Sequence, residues 1–459
     1  MASCNAVLAH ADPSLAPIAA QDNSPDTYPT VVPLTLSGQT GDVVWTITTS
    51  DPRVADAAVD PTAPAVLLSP QALGSATVTV TATDAVSSAS TSFSYSVRSQ
   101  SSVRTLVASA PQSQAILLQN TSQTTVSLWL DVNGRLYPGS IARIADNIRA
   151  MPDESPGETF EHKAWRSLSM NTWRGFTLTD AEWIHDPTVL VNSLGFEYCD
   201  DVAAALAVLV RSAGGTARVW TLNGHVVPEV LIGGRWRLYD ADQGVIYHDT
   251  DGSEVGLAEL VANPSLVTSP PVIEQINKLG GANPYSEEVA EIFSSSGDNE
   301  LLDTNEGDIG FSYMQLTVPP GGQMLLGGKW STGIVDGVTG SDIHVRAEAQ
   351  LTIPAGWTGE LPSALVLIDA SGSGQLDIEG AKYEIGSADL EARLRNFEIS
   401  QRWKSVTRAD GPIVLTFLYS AVAARLLATN ELTLTGFNTG AITTQLVSLP
   451  SDNQLEPPP

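Results

Sequence analysis

From Thr30 to Val97 the chain alternates apolar and polar residues in short runs: VVPLTLSG, VVWTITTS, AVLLSP, SATVTVTATDA and TSFSYSV. Alternation over four to eight residues predicts strands with one buried face, and the Gly, Pro, Asp and Ser between the runs predict turns. The same texture continues through RTLVAS, AILLQN and TTVSLWLDV, with Asn133-Gly134 marking a hairpin turn. Between 141 and 190 the spacing becomes helical, and Phe160, Trp165, Trp173, Phe176 and Trp183 crowd together. The stretch CDDVAAALAVLVRSA, 199–213, predicts a helix with Val202, Leu206, Leu209, Val210 and Ala213 on one face and Gly214-Gly215 as its stop. Two strands follow, and then a linker with Pro270-Pro271 and Asn283-Pro284 leads to a short helix in EEVAEIFSS. Strand patterns return in FSYMQLTVPPGG, DIHVRAEAQLTIP, SALVLIDA, GQLDIEG, PIVLTFLYSA and ELTLTGF.

These changes of texture predict an irregular leader (1–30), a β-sandwich (31–98), a β-rich connecting segment (99–145), an α+β core (146–300), a C-terminal β-sandwich (310–450) and a disordered tail (451–459). The strand spacing at 31–98, with Trp45 in an early strand, resembles the immunoglobulin-like or cadherin-like repeats of bacterial surface and phage proteins. The expected class is multidomain and mainly β. A length of 459 residues agrees with that, at roughly 100–200 residues per domain.

Composition narrows the partners. Lys+Arg number 23 against Asp+Glu 51, a formal net charge of −28, which repels phosphate backbones and anionic membranes. No nucleic-acid partner and no membrane insertion are expected, and no apolar run reaches the roughly 18 residues of a membrane span. The start, MASCNAVLAHADPSLAP, lacks the basic and apolar regions of a signal peptide. The two cysteines, Cys4 and Cys199, give neither a disulfide scaffold nor a cysteine-cluster zinc site, so no metal or cofactor is expected. Two polar segments and two histidines are read as carrying no metal. DASGSGQLDIEG, 369–380, departs from a calcium loop at its last position, Gly380; HDTDGSE carries Asp249, Asp251 and Glu254 in an acidic turn; and His185 and His248 stand isolated.

The chemistry is concentrated near the predicted helix. Cys199 opens it, where unpaired N–H groups and the helix dipole favour a thiolate and can serve an oxyanion hole. Asp200 and Asp201 oppose that charge, so a neighbouring imidazolium is needed. His225 supplies one. GHVVPEVLIGGRWRLYD reads as a hairpin with a Gly233-Gly234 turn that sets His225 opposite Asp242 and diagonal to Asp240. Pro228 makes the strand an edge or bulged one, and periodicity leaves both carboxylates in reach.

The segment GFEYCDDVAAALAVLVRSAGGTARVWTLNGHVVPEVLIGGRWRLYDADQG resembles the transglutaminase-like, papain-type superfamily over about 120 residues, roughly 150–265. The shared pattern is a Cys opening a helix, a small-residue break before an Ala-Arg-Val strand, a Gly-His strand and a Trp strand ending in Asp. The resemblance implies Cys199 as nucleophile, His225 as general base and acid, and Asp240 as the residue orienting the imidazole. Trp173 and Trp183 are candidates for the oxyanion or cleft position, and Asp242 is the alternative carboxylate. It also implies cysteine-dependent acyl transfer to, or hydrolysis of, an amide or isopeptide bond in a protein, peptide-like or cell-wall substrate. The other expectation is a structural or adhesive role, such as a bacteriophage tail, fibre or head-decoration component that contacts virion or surface proteins. A homo-oligomer is compatible with either role. The expected setting is a virion or an extracellular surface, with the cytoplasm left open.

Overall fold

A computed structural model describes residues 12–23, 30–60, 64–99, 101–108, 114–132, 135–136, 141–174, 186–276, 283–294, 300–302, 316–327, 347–396, 399, 401–419, 429–436 and 438–448. The chain is mainly β and divides into two compact units, Met1–Ser101 and Ser102–Pro459. Among the described residues no helix is long and apolar enough to cross a membrane. The Asn133-Gly134 turn, Trp183, His185 and the tail lie outside the described residues.

In the first unit a four-stranded and a three-stranded sheet share one apolar cluster that includes Val32, Val66, Leu68, Val78, Val80, Phe93 and Tyr95. The Tyr95 hydroxyl donates across it to the Leu68 carbonyl at 3.4 Å. Alternation does what it predicts along Gly74–Thr83 and Ser88–Val97. The apolar set faces the cluster, while Thr79 with Ser92 and Thr81 with Ser90 bond across the outer face at 2.8 Å. Two short strands lie within residues 12–23. Ser14–Leu15 pairs with Leu36–Ser37, and Gln21–Asn23 runs parallel to the end of Ser88–Val97.

The second unit holds two β-layers and an α+β core. Strands of the segment 99–145 pair with distant strands. Gln114–Asn120 pairs on one side with Gln323–Gly327 and on the other with Ile442–Ser448. Val126–Val132 likewise pairs with Thr429–Gly436 and Leu316–Val318. Their partners lie about two hundred and three hundred residues away, and local periodicity carries no information on such pairing. Gly372 and Gly374 of the 369–380 segment lie in the strand Leu367–Ile378, bulged against Lys404–Tyr419, and Gly380 sits at positive φ in the turn that follows.

Among the described residues, the three longest helices of the core pack with an antiparallel sheet. Helix α1 is Ile141–Ala150, α2 is Phe160–Asn171 and α3 is Cys199–Ser212. The sheet contains β1 (Ala217–Leu222), β2 (His225–Ile232), β3 (Arg235–Asp240), β4 (Val245–Ile246), β5 (Glu274–Gln275) and β6 (Glu300–Leu302), in the order β5-β4-β3-β2-β1-β6. The expected helix in EEVAEIFSS is present as α4, Glu287–Ser294. Helix α3 is buried on every side from Asp201 to Val210, not on one face only. Ala203, Ala204, Ala205 and Ala207 make this possible, because they let α1, α2 and β2 approach together. Each Leu or Val removed from water there contributes about 1.5–3 kcal/mol. Gly214, at φ 89°, ends the helix, and the Gly233-Gly234 turn has both residues at positive φ, as a two-residue hairpin turn requires.

Candidate active site

The register between β2 and β3 sets the site. Val230 faces Arg237 and Glu229 faces Leu238, the pairing the two-residue turn dictates. The ladder stops at Glu229, next to Pro228, which has no N–H to donate. Beyond that point the Leu238 N–H turns to the Val255 carbonyl at 2.9 Å. Towards its first residue, His225, β2 remains paired only with β1, where Leu222 faces His225. The end of β3 is then free to turn beneath the imidazole.

His225 Nε2 lies 2.8 Å from Asp240 Oδ2, and Asp240 Oδ1 accepts from the Gln243 N–H at 2.9 Å. Asp242 is on the other edge of the ring, with Oδ2 at 3.8 Å from Nδ1. His225, Asp240 and Asp242 are 4%, 0% and 1% exposed, so water does little to screen them. Asp242 is held by Gln243 Nε2 at 3.2 Å and Arg174 Nε at 3.4 Å. Between the two carboxylates that hairpin register left open, Asp240 is the one bonded to the imidazole.

Cys199 is a free, half-buried thiol at the first residue of α3. Burial draws the His225 pKa down. The charge and hydrogen bond of Asp240, the thiol of Cys199 and the charge of Asp242 together carry it well above the ordinary histidine value. Nδ1 makes no hydrogen bond within ordinary distance, and it is the ring nitrogen that Asp240 leaves open. The two aspartates after the cysteine differ. Asp201 is buried, and its Oδ2 accepts the Tyr198 N–H at 2.9 Å, so that carboxylate caps the helix entrance.

Two contributors, Gln243 and Arg174, had no sequence signal, and a third, Trp165, was legible only as one of the crowded aromatics. Trp165 on α2 donates from Nε1 to the Asp240 carbonyl at 3.0 Å, fixing the backbone that presents the carboxylate. Gln243 binds both aspartates, and Arg174 lies in a short strand, Trp173–Arg174, parallel to Phe196–Glu197 just before the cysteine. Of Trp173 only the backbone is described.

Trp165 is itself braced. The His162 ring lies 5.2 Å from that of Trp165, and its Nδ1 and Nε2 bond Glu158 at 2.6 Å and Glu274 at 2.7 Å. His248, expected to be isolated, bonds the other oxygen of Glu274 at 2.6 Å, so one carboxylate ties α2, β5 and the 248–254 turn together. Burial lowers the His162 pKa, and Glu274 and Glu158 raise it further than that; at His248 the Glu274 bond dominates and raises it. Burial pushes Glu274 up, but the two histidines bring it down to about 2 from 4.5. The raised histidines stabilise the fold below their unfolded pKa of about 6.5 and lose that contribution as pH rises through their folded values. The depressed Glu274 contributes above 4.5 and loses its share as pH falls through about 2. The network is therefore worth most between about pH 4.5 and 6.5, and each pH unit titrated beyond the unfolded histidine value costs about 1.4 kcal/mol per ring. Thermal unfolding should show a lower midpoint at pH 8.5 than at pH 5.5, and Glu274→Gln should flatten that difference; an unchanged difference would remove the network from the account.

No family model matches the chain, and no curated protein matches it. Among solved structures it is similar to two Bacteroides fragilis proteins described as a candidate alpha-galactosidase and a candidate alpha-galactosidase/melibiase. The first is 11% identical with a TM-score of 0.17, over 89% of this chain and 98% of that one. The second is 10% identical with a TM-score of 0.17, over 88% and 97%. Salmonella alpha-2-macroglobulin is 10% identical with a TM-score of 0.15, over 95% of this chain and 40% of that one. Superposition at that level carries no argument about fold or function, and the reading of the site rests on its own geometry.

Proposed function

We propose that the core of the second unit is transglutaminase-like and performs cysteine-dependent acyl transfer or hydrolysis on an amide or isopeptide bond. The observation that carries the reading is the division of labour on one ring: Asp240 occupies Nε2 at 2.8 Å, leaving Nδ1 for the thiol at the start of α3. The Cys199 thiolate attacks the carbonyl carbon, and the N–H groups of the first turn of α3 stabilise the oxyanion. The C–N bond breaks as imidazolium Nδ1 passes its proton to the departing amine, leaving a thioester. His225 then takes a proton from water or an acceptor amine, which attacks the thioester and frees the thiol. Asp240 keeps the ring oriented and stabilises its charge throughout.

Incubation with a glutamine-rich protein and a fluorescent primary amine, followed by mass mapping, tests this. Amine incorporation or deamidation that vanishes in Cys199→Ala is the expected result, and activity unchanged by that substitution would refute it. A structural or adhesive role is the second reading, favoured by the large share of β-sheet outside the site, including the first unit, which we read as immunoglobulin-like. The C-terminal layers are read as a β-sandwich.

A further inference from the structure

We propose that the strand Val44–Thr49 of the first unit is an interface that pairs antiparallel with the same strand of a second copy of this chain, about a two-fold axis through Ile47. The inference concerns the other compact unit and does not rest on the acyl-transfer reading.

The strand stands at the end of the four-stranded sheet and, among the described residues, pairs on one side only, with Gly74–Thr83. The ladder shows which of its groups are left over. The Ser50 N–H bonds the Thr77 carbonyl at 2.9 Å, in the same register that sets Thr48 opposite Thr79 and Thr46 opposite Thr81. Antiparallel bonds recur at every second residue, so Val44, Thr46 and Thr48 turn their N–H and C=O groups to that neighbour. Those of Trp45, Ile47 and Thr49 point away from it, and such an edge is a template for a further strand.

The unit guards its other edges. Gln21–Asn23 is three residues long, with Asp22 ion-paired to Arg98. Thr30–Pro33 ends in proline, and Ala55–Val59 carries the exposed Asp56. Shortness, charge and proline all discourage pairing. The run VWTITT, six residues long, has neither charge nor proline, and Val44 at its start is 67% exposed.

Self-complementarity identifies the occupant. Joining the outward groups of two copies sets Ile47 opposite Ile47 and Trp45 opposite Thr49, the register that engages all three outward residues of both strands. On the inner side the partly buried Trp45 and Ile47 then meet Thr49 and Ile47 of the second copy, aromatic and β-branched pairs that stabilise sheets. On the outer side Thr46 meets Thr48 of the second copy, extending the hydroxyl rows that Thr79 with Ser92 and Thr81 with Ser90 already form at 2.8 Å. A formal charge of −28 drives copies apart over most of the surface. At this edge Asp51 is paired with Arg53 at 2.9 Å, and the antiparallel arrangement brings that guanidinium, on a side chain 86% exposed, to the end that carries Asp42 of the second copy.

Sedimentation velocity of the full chain over a rising concentration series, together with a disulfide test of the register, decides this. Wild type should pass from the mass of one chain to that of two. Thr46→Lys/Thr48→Lys sets like charges opposite each other and should raise the dimer dissociation constant about tenfold or more. Thr46→Cys and Thr48→Cys chains, mixed under mild oxidation, should form a 46–48 disulfide that mass mapping identifies. Neither variant alone should cross-link at this strand, because directly opposed Cα atoms stand about 4.5 Å apart and diagonal ones about 7–8 Å. A wild type that stays a single chain throughout, a dimer unchanged in a folded lysine variant, or a mixture without the 46–48 disulfide overturns the proposal. The dimer would then belong to another surface, or the edge to another kind of partner.

Discussion

Replacing His225 by Ala should slow iodoacetamide alkylation of Cys199 at pH 6, with a chelator present, by about 30-fold. The figure follows from two opposing effects. An unpaired thiol with a pKa of about 8.5 is about 0.3% thiolate at pH 6, so losing the imidazolium removes up to about 300-fold of the reactive form. A thiolate of higher pKa is intrinsically more nucleophilic, which returns about tenfold. Peptide mapping separates Cys199 from Cys4. A change below about threefold would mean that the imidazole does not activate the thiol, whatever its distance from it.

The second large effect falls on stability. Asp240 is fully buried, and its two oxygens serve the imidazole and the Gln243 N–H. Asp240→Ala leaves a buried charged ring and a buried amide without partners, a loss of about 3–5 kcal/mol. Asp240→Asn preserves shape and one acceptor and should cost about 1–3 kcal/mol. Hydrogen exchange of the α3 amides under increasing urea reports the core separately from the flanking sheets. A cost below about 1 kcal/mol for the alanine variant would show that the carboxylate and ring do not depend on each other.

The parts of this site legible in the sequence were those fixed by local rules. Cys199 opens a helix because an apolar run begins there, and the Gly233-Gly234 turn set the β2–β3 register that the structure has. Local rules also reached their limit there, since they placed Asp240 and Asp242 on the same side of the imidazole. The choice between them came from Pro228 ending the ladder and from the Trp165 bond to the Asp240 carbonyl, a contact spanning 75 residues. His248 read as isolated because its partner Glu274 is 26 residues on, in a strand of two residues that leaves almost no pattern. The partners of the connecting segment were illegible for a related reason. Its strands look complete locally, and only the pairing of Gln114–Asn120 with Ile442–Ser448 shows the layer they belong to.

The pH–rate profile of Cys199 alkylation in metal-free wild-type protein tests the central claim most directly, because it needs no substrate. A thiol activated by His225 should be alkylated far faster than Cys4 at pH 6–7, and that excess should vanish when His225 is replaced by Ala. A Cys199 that labels no faster than Cys4 across that range, or that does not label at all, would contradict the assignment of Cys199 as an activated nucleophile.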